Sequence, residues 1–311
     1  MIHLVTGAAG FIGSHLVDVL LKKGDKVIAV DNFYTGRSEN IRHHYSNDSF
    51  VFYQNDVETV DIEPAVDQIW HLACPASPIH YQRDPLKTIH TCYEGTLNML
   101  RLAQNTGARM LLASTSEIYG DPLVHPQTEN YLGNVNTLGP RACYDEGKRI
   151  AETLTFNYWM QHSVSIRVAR IFNTYGPRMA IKDGRVISNF IVQALQNKPL
   201  TIYGSGNTTR SFCYVSDTVA GLQHIMNANG DWVFNVGNPQ EITLSFLAKQ
   251  IAKKTNPALP STYHAKPQDD PQRRMPDITK ITASTGWTPK VTLDDGLNQT
   301  ISYFKHQLVN V

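Results

Sequence analysis

Cysteine is scarce in this chain of 311 residues: only Cys74, Cys92, Cys143 and Cys213 occur, far apart and with no C-x-x-C. That spacing excludes a zinc ribbon and a disulfide scaffold, and reduced thiols are expected. An excess of charge of one sign is missing as well. With 28 Lys+Arg against 27 Asp+Glu the formal net charge is +1. No broad field then attracts a phosphate backbone, and no nucleic-acid partner is expected. No run approaches the ~18 consecutive apolar residues of a membrane helix. The start, Met1-Ile2-His3-Leu4-Val5-Thr6, lacks the charged and apolar regions of a signal peptide. A soluble, cytoplasmic protein with no membrane partner is expected. His43, His44, His71 and His80 have no metal-like spacing with carboxylates or other histidines, so they are read as packing or surface groups and no metal is expected.

What is present is an alternation of short apolar runs with amphipathic segments. Ile2 to Thr6 reads as a buried strand, and Phe11 to Lys23 as a helix with Ile12, Leu16, Val19 and Leu20 at helical spacing and Gly24 as its stop. Further strands are expected at Val27–Val30, Phe50–Tyr53, Ile69–Ala73, Met110–Ala113 and Val164–Arg170, with helices at Thr88–Gln104 and Tyr144–Met160. Strands apolar on nearly every residue are covered on both faces, so the pattern predicts an α/β fold, a doubly wound parallel sheet of Rossmann type. Beyond Asn173 the pattern loosens, with helices expected at Val186–Gln196, Thr218–Met226, Leu244–Lys254 and Leu293–Lys305. We read residues 1–172 as a dinucleotide-binding domain and 173–311 as mainly a smaller mixed substrate lobe, some of whose segments return to the sheet.

Between the first strand and helix lies Gly7-Ala8-Ala9-Gly10-Phe11-Ile12-Gly13. A dinucleotide pyrophosphate needs N–H donors at a helix N-terminus, and residues without Cβ let the backbone approach it. Asp31 follows at the end of the second strand, where a carboxylate binds adenosine ribose hydroxyls and repels a 2′-phosphate. NAD is therefore the expected cofactor, with nearby Arg37 the one feature that argues for NADP. Tyr144-Asp145-Glu146-Gly147-Lys148 places a phenol and an ammonium on one helix face. A cation beside a tyrosine favours the phenolate and so makes it a better base. Ser114-Thr115-Ser116-Glu117 supplies hydroxyls at a strand end, of which Ser114 is read as a turn cap.

The glycine spacing resembles the extended short-chain dehydrogenase/reductase superfamily. The resemblance implies that Thr115, Tyr144 and Lys148 form its catalytic set. It also implies that Asp56 and Val57 contact the adenine, and that Leu72 and Ala73 form the turn flanking the cofactor, which Asn32, Phe33, Thr35, Gly36 and Thr91 also border. Longer strings sharpen this: Ala73-Cys74-Pro75-Ala76-Ser77-Pro78, Ser114-Thr115-Ser116-Glu117-Ile118-Tyr119-Gly120-Asp121-Pro122, Gly139-Pro140-Arg141-Ala142-Cys143-Tyr144, Arg170-Ile171-Phe172-Asn173, Thr209-Arg210-Ser211-Phe212 and Asp269-Asp270-Pro271-Gln272-Arg273-Arg274. From Met1 to about Tyr303 the chain resembles the UDP-glucuronic acid decarboxylases.

That resemblance implies a lyase acting on UDP-glucuronate with retained NAD. Glu117 would orient water or the ring, and Arg274 would serve the sugar carboxylate or the protonation step. His90, Asn173, Tyr203 and Arg210 would join Arg274 in contacting the substrate, and the enzyme would be a homodimer built through the helices near 88–104 and 144–160. A chain starting in its first strand is expected to be the bare catalytic unit. Where the family reads Lys-Thr-Asn, this chain has His90-Thr91-Cys92, which exchanges a permanent cation for a histidine and removes an amide. A 4-epimerase or 4,6-dehydratase on the same scaffold, and an inactive NAD-sensing regulator, are the competing readings.

Overall fold

The computed structural model describes residues 1–63 and 65–309. Its centre is a seven-stranded sheet built from β1 (Ile2–Thr6), β2 (Lys26–Val30), β3 (Phe50–Tyr53), β4 (Gln68–His71), β5 (Arg109–Thr115), β6 (Ile166–Ile171) and, after four short strands elsewhere, β11 (Val233–Val236). The order is β11-β6-β5-β4-β1-β2-β3, every pair parallel. Successive strand residues point to opposite faces, and both faces are covered. Val5, Ala29 and Leu111 pack with α1 (Phe11–Lys22) and with helices of the second half, and Leu4, Ile28 and Leu112 pack on the other face. The predicted doubly wound α/β class is what the chain adopts, and β11 hydrogen-bonds to β6.

Strand and helix ends move by a few residues from the sequence reading, as frayed ends do. The helix expected from Thr88 to Gln104 is interrupted. After the single turn α2 (Pro78–Tyr81), α3 (Pro85–His90) starts on Asp84, whose side chain accepts from Lys87 N at 3.0 Å. A π-helical turn, Thr91–Gly95, then leads into α4 (Thr96–Thr106). The apolar period runs smoothly through this extra residue, so the sequence does not announce it. The long α5 (Ala142–His162) crosses the same face of the sheet.

The other strands form small sheets over the C-terminal end of the main one. These are β7 (Thr174–Tyr175) with β10 (Cys213–Tyr214), β8 (Leu200–Tyr203) with β13 (Ser261–His264), and β12 (Glu241–Thr243) with β9 (Thr209–Ser211) and β14 (Arg273–Arg274). Around them lie α6 (Val186–Leu195), α7 (Val215–Asn227), α8 (Leu244–Lys254), α9 (Thr279–Thr285) and α10 (Leu293–Val309). The parallel register of β14 on β9 sets Arg274 opposite Arg210. Two like charges in that position repel, so the lobe must supply counter-charges.

Candidate active site

A cavity of about 610 Å³ opens where the C-terminal ends of β1, β2, β4, β5 and β6 meet the small sheets. Its floor is the glycine turn. Gly7 has φ +68°, and a Cβ there would stand 2.9 Å from the backbone of Leu72 and Ala73; a Cβ on Gly13 would fall 2.1 Å from Gly7 O. Glycine at these positions allows the turn to close and leaves the first N–H groups of α1 facing the cavity. A dinucleotide pyrophosphate fits that cradle.

Gly10, Phe11, Ile12, Asp31, Asn32, Thr35, Asp56, Val57, Leu72, Ala73, Thr91, Tyr144 and Lys148 also line the cavity. The other two expected cofactor contacts, Phe33 and Gly36, do not line it. They position Asp31: Phe33 N donates to Oδ1 at 2.8 Å, and any Cβ on Gly36 would lie 2.7 Å from that carboxylate. Ala9 N donates to Asp31 Oδ2 at 2.9 Å. Burial raises the Asp31 carboxyl, and these backbone donors oppose the rise. Arg37 turns its guanidinium to Tyr303 Oη (2.8 Å) and the Arg178 carbonyl.

Thr115 ends β5, and its hydroxyl both accepts from Glu117 N at 3.2 Å and hydrogen-bonds the Tyr144 phenol. Tyr144 stacks on Tyr81, with ring centroids 5.0 Å apart and planes 2° from parallel. Burial pushes the Tyr144 phenol well up, the neighbouring Cys74 adds to this, and the Thr115 hydrogen bond opposes it. Lys148, one helical turn on from Tyr144, donates to Ala113 O at 2.9 Å.

Glu117 sits on a one-turn helix, Ser116–Tyr119, directly after β5. One carboxylate oxygen takes a guanidinium N–H from Arg141 and the other from Arg274. Although burial alone would raise it, the two guanidiniums bring the Glu117 carboxyl down to about 2. Arg274 also donates to Gly120 O, and Arg210 pairs with Asp270 at 3.0 Å. These two acids are the counter-charges that the Arg210–Arg274 register demands. Three guanidiniums against two carboxylates leave one positive charge over, and the Nε groups of Arg141 and Arg274 are buried without a partner. Buried donors are normally satisfied, so the cluster is built to receive an anion.

Among the expected substrate contacts, Asn173, Tyr203, Arg210 and Arg274 line the cavity. His90 does not. Its ring pairs with Glu94 at 2.9 Å on an exposed surface, while the next residue, Thr91, donates to Glu58 at 2.7 Å on the inner side. Consecutive helix residues point about 100° apart, so Thr91 facing the cavity turns His90 away. Ser114 is not a turn cap either; its hydroxyl donates to Glu152 of α5 at 2.5 Å. His43 and His44, read from their spacing as packing or surface groups with no metal-like relation to a carboxylate, both hydrogen-bond Asp18 Oδ1 at 3.0 and 2.7 Å, while Arg178 holds its other oxygen.

The sequence reading missed Arg141, whose place one helical turn before Tyr144 was a usable signal. It also missed Lys87, which bridges Asp56 and Glu58 at 2.6 Å each, and the Asp183–Arg185 pair at the cavity wall. Asp145 was overlooked as well. Its carboxyl is buried beside Glu117, Oδ1 has no partner, and burial followed by the Glu117 charge raises it to about 8.

Residues 4–300 match the family model described as GDP-mannose 4,6 dehydratase. UDP-glucuronic acid decarboxylase 2 of Arabidopsis thaliana is 56% identical over 98% of this chain and 68% of its own length. The chain belongs to the UDP-glucuronic acid decarboxylase family. UDP-glucuronic acid decarboxylase 1 of Xenopus tropicalis shares 55% identity over 98% of this chain and 72% of its own. Among solved structures, the UDP-glucuronic acid 4-epimerase of Bacillus cereus, in complex with UDP-glucuronic acid and NAD, superposes with a TM-score of 0.90. It is 28% identical and covers 99% of this chain and all of its own. The decarboxylase family and this epimerase thus share one scaffold, and the difference in chemistry must lie in side chains around the cavity.

Proposed function

We propose that this protein decarboxylates UDP-glucuronate to UDP-xylose and carbon dioxide, using bound NAD and returning it unchanged at the end of each cycle. The observation that carries the reading is Glu117 held between Arg141 and Arg274 in the same cavity as the Thr115–Tyr144 pair. Residues 1–172 then serve mainly as the NAD-binding domain, and 173–311 mainly as the substrate lobe.

The cradle of Gly7, Gly10 and Gly13 would take the pyrophosphate, Asp31 the adenosine ribose, Asp56 and Val57 the adenine, and Lys148 the nicotinamide ribose. With Arg37 occupied by Tyr303, Asp31 faces the ribose alone, which supports NAD over NADP. NAD supplies a hydride acceptor at sugar carbon 4, a donor for the return step, and a positive ring that favours the Tyr144 phenolate.

Tyr144 takes the proton of the 4-hydroxyl, with Thr115 holding the same oxygen. Oxidation there leaves the carboxylate β to a ketone, and carbon dioxide departs as electrons move into an enolate that Thr115 and Tyr144 stabilise. Glu117 stays ionised at any pH well above about 2, so it orients water or the ring and does not itself donate the proton to carbon 5. Arg274 and Arg141 hold the sugar carboxylate, and Arg210, with Asn173, the nucleotide diphosphate. Tyr203, half exposed at the rim, flanks the uracil.

A homodimer is part of the reading. Ile89 in α3, Tyr93 in the π-helical turn, and Ile150, Phe156, Trp159 and Met160 on α5 are exposed apolar side chains that support burial against a second copy. Light scattering should give the mass of two chains; the mass of one would overturn this. Four free thiols support a reducing, cytoplasmic compartment.

Incubation with UDP-glucuronate and NAD⁺, followed by mass spectrometry, tests the activity. UDP-xylose and carbon dioxide are expected. A 4-epimerised UDP-hexuronate, a released 4-keto pentose, or unchanged substrate would overturn the proposal. Tyr144→Phe should abolish turnover while NAD still binds.

A further inference from the structure

Two thiols meet behind the catalytic pair. Cys74 follows β4, and its Sγ lies 3.3 Å from Sγ of Cys92 in the π-helical turn. Cys74 is partly exposed and lines the cavity, whereas Cys92 is fully buried. Both abut α5. Cys74 packs in the cluster of Tyr81, Cys143 and Tyr144, and Cys92 lies against Gly147, where an added Cβ would come within 3.0 Å of its sulfur. The pair therefore sits between Tyr144 and Lys148 on the helix that carries both.

We infer that Cys74 and Cys92 form a reversible redox site, oxidised by a peroxide that enters through the cavity, and that the resulting disulfide switches off the neighbouring Tyr144–Lys148 pair. A disulfide requires the sulfurs at ~2.05 Å, so they must close by about 1.3 Å. Burial alone would push the Cys74 thiol up, but its hydrogen bond with Cys92 and the Lys148 charge bring it below its ordinary value; the same hydrogen bond and burial raise Cys92. The reachable sulfur is thus also the better nucleophile.

The chemistry balances in two steps. Cys74 thiolate attacks a peroxide oxygen, forming S–O and breaking O–O; the sulfur is oxidised to sulfenic acid, and the departing hydroxide takes a proton to become water. Cys92 then attacks the Cys74 sulfur, S–S forms, S–O breaks, and the released hydroxide takes the Cys92 proton to leave as a second water. Overall, two thiols and hydrogen peroxide give one disulfide and two waters. Closure draws the segment after β4 and the π-helical turn together against α5, which shifts the phenol from Thr115.

Hydrogen peroxide treatment of the full chain, thiol alkylation and non-reducing peptide mapping test the bond itself, whatever reaction the enzyme catalyses. The expected result is a Cys74–Cys92 cross-linked peptide, appearing in step with at least a tenfold fall in turnover, both reversed by dithiothreitol. Cys92→Ser should retain the untreated turnover, form no cross-link, and leave a Cys74 sulfenic acid that dimedone traps. The inference is overturned by inactivation without that peptide, by a Cys74–Cys143 cross-link in its place, by a cross-link that leaves turnover unchanged, or by inactivation of Cys92→Ser with the same rate and reversibility.

Discussion

Glu117→Gln should cost the folded protein about 3 kcal/mol at neutral pH. The Glu117 carboxyl is brought from 4.5 to about 2, because Arg141 and Arg274 outweigh the opposing effect of burial. That drop corresponds to about 3 kcal/mol. The variant keeps a similar shape but leaves two buried guanidiniums facing each other without the anion between them, the arrangement that makes a broken buried pair expensive. For a chain of this size the melting temperature should fall on the order of 7–10 °C. The pH dependence has a definite sign. A depressed carboxyl contributes fully above the unfolded value near 4.5 and loses its contribution as pH falls towards 2, so at about pH 3 less than half of the gap should remain. Urea unfolding of wild type and variant at about pH 7 and about pH 3, followed by circular dichroism, measures both quantities. A neutral-pH gap below about 1 kcal/mol, or a gap that does not narrow on acidification, would refute the ion-triad reasoning.

Gly13→Ala places a methyl 2.1 Å from Gly7 O, so calorimetry should show NAD⁺ affinity falling more than ~10-fold, with about 1–3 kcal/mol of stability lost to overpacking; unchanged affinity would refute the cradle. Asp145, raised to about 8, holds a proton when folded that the unfolded chain releases near 3.8, so it erodes stability as pH rises between those values. Asp145→Asn should therefore flatten the melting curve against pH across that range and melt above wild type at alkaline pH. Arg274→Lys keeps the charge but loses the fork that reaches Glu117 and Gly120 O together. Its kcat/KM should drop more than ~10-fold with an unchanged circular dichroism spectrum.

What was legible in the sequence is what is local. The glycine turn, the Tyr144–Lys148 spacing and the apolar strands are each encoded within a few residues, and the α/β class follows from their alternation. The Glu117–Arg274 pair spans 157 residues; no periodicity reports it, and only the likeness of long strings placed both residues near the substrate. His90 was misplaced because a residue string gives no helical phase, and phase is what separates it from Thr91. The rise of Tyr144 and Asp145 was hidden for another reason. Desolvation depends on how much protein surrounds a side chain, whereas sequence spacing suggested only the nearby charge.

The return of β11 to the sheet decides how the protein can be dissected. Val233 to Val236 pair with Val168 to Ile171, so a fragment ending at residue 172 would expose β6 as a raw edge, a row of free N–H and C=O groups flanked by Val168 and Ala169, which are fully buried in the intact chain. Such an edge templates strand addition from other chains. The cofactor half should therefore precipitate when made alone and become soluble when residues 173–311, which carry β11 and the helices that cover the same face, are supplied in trans, which makes the two halves a natural basis for a split-protein reporter.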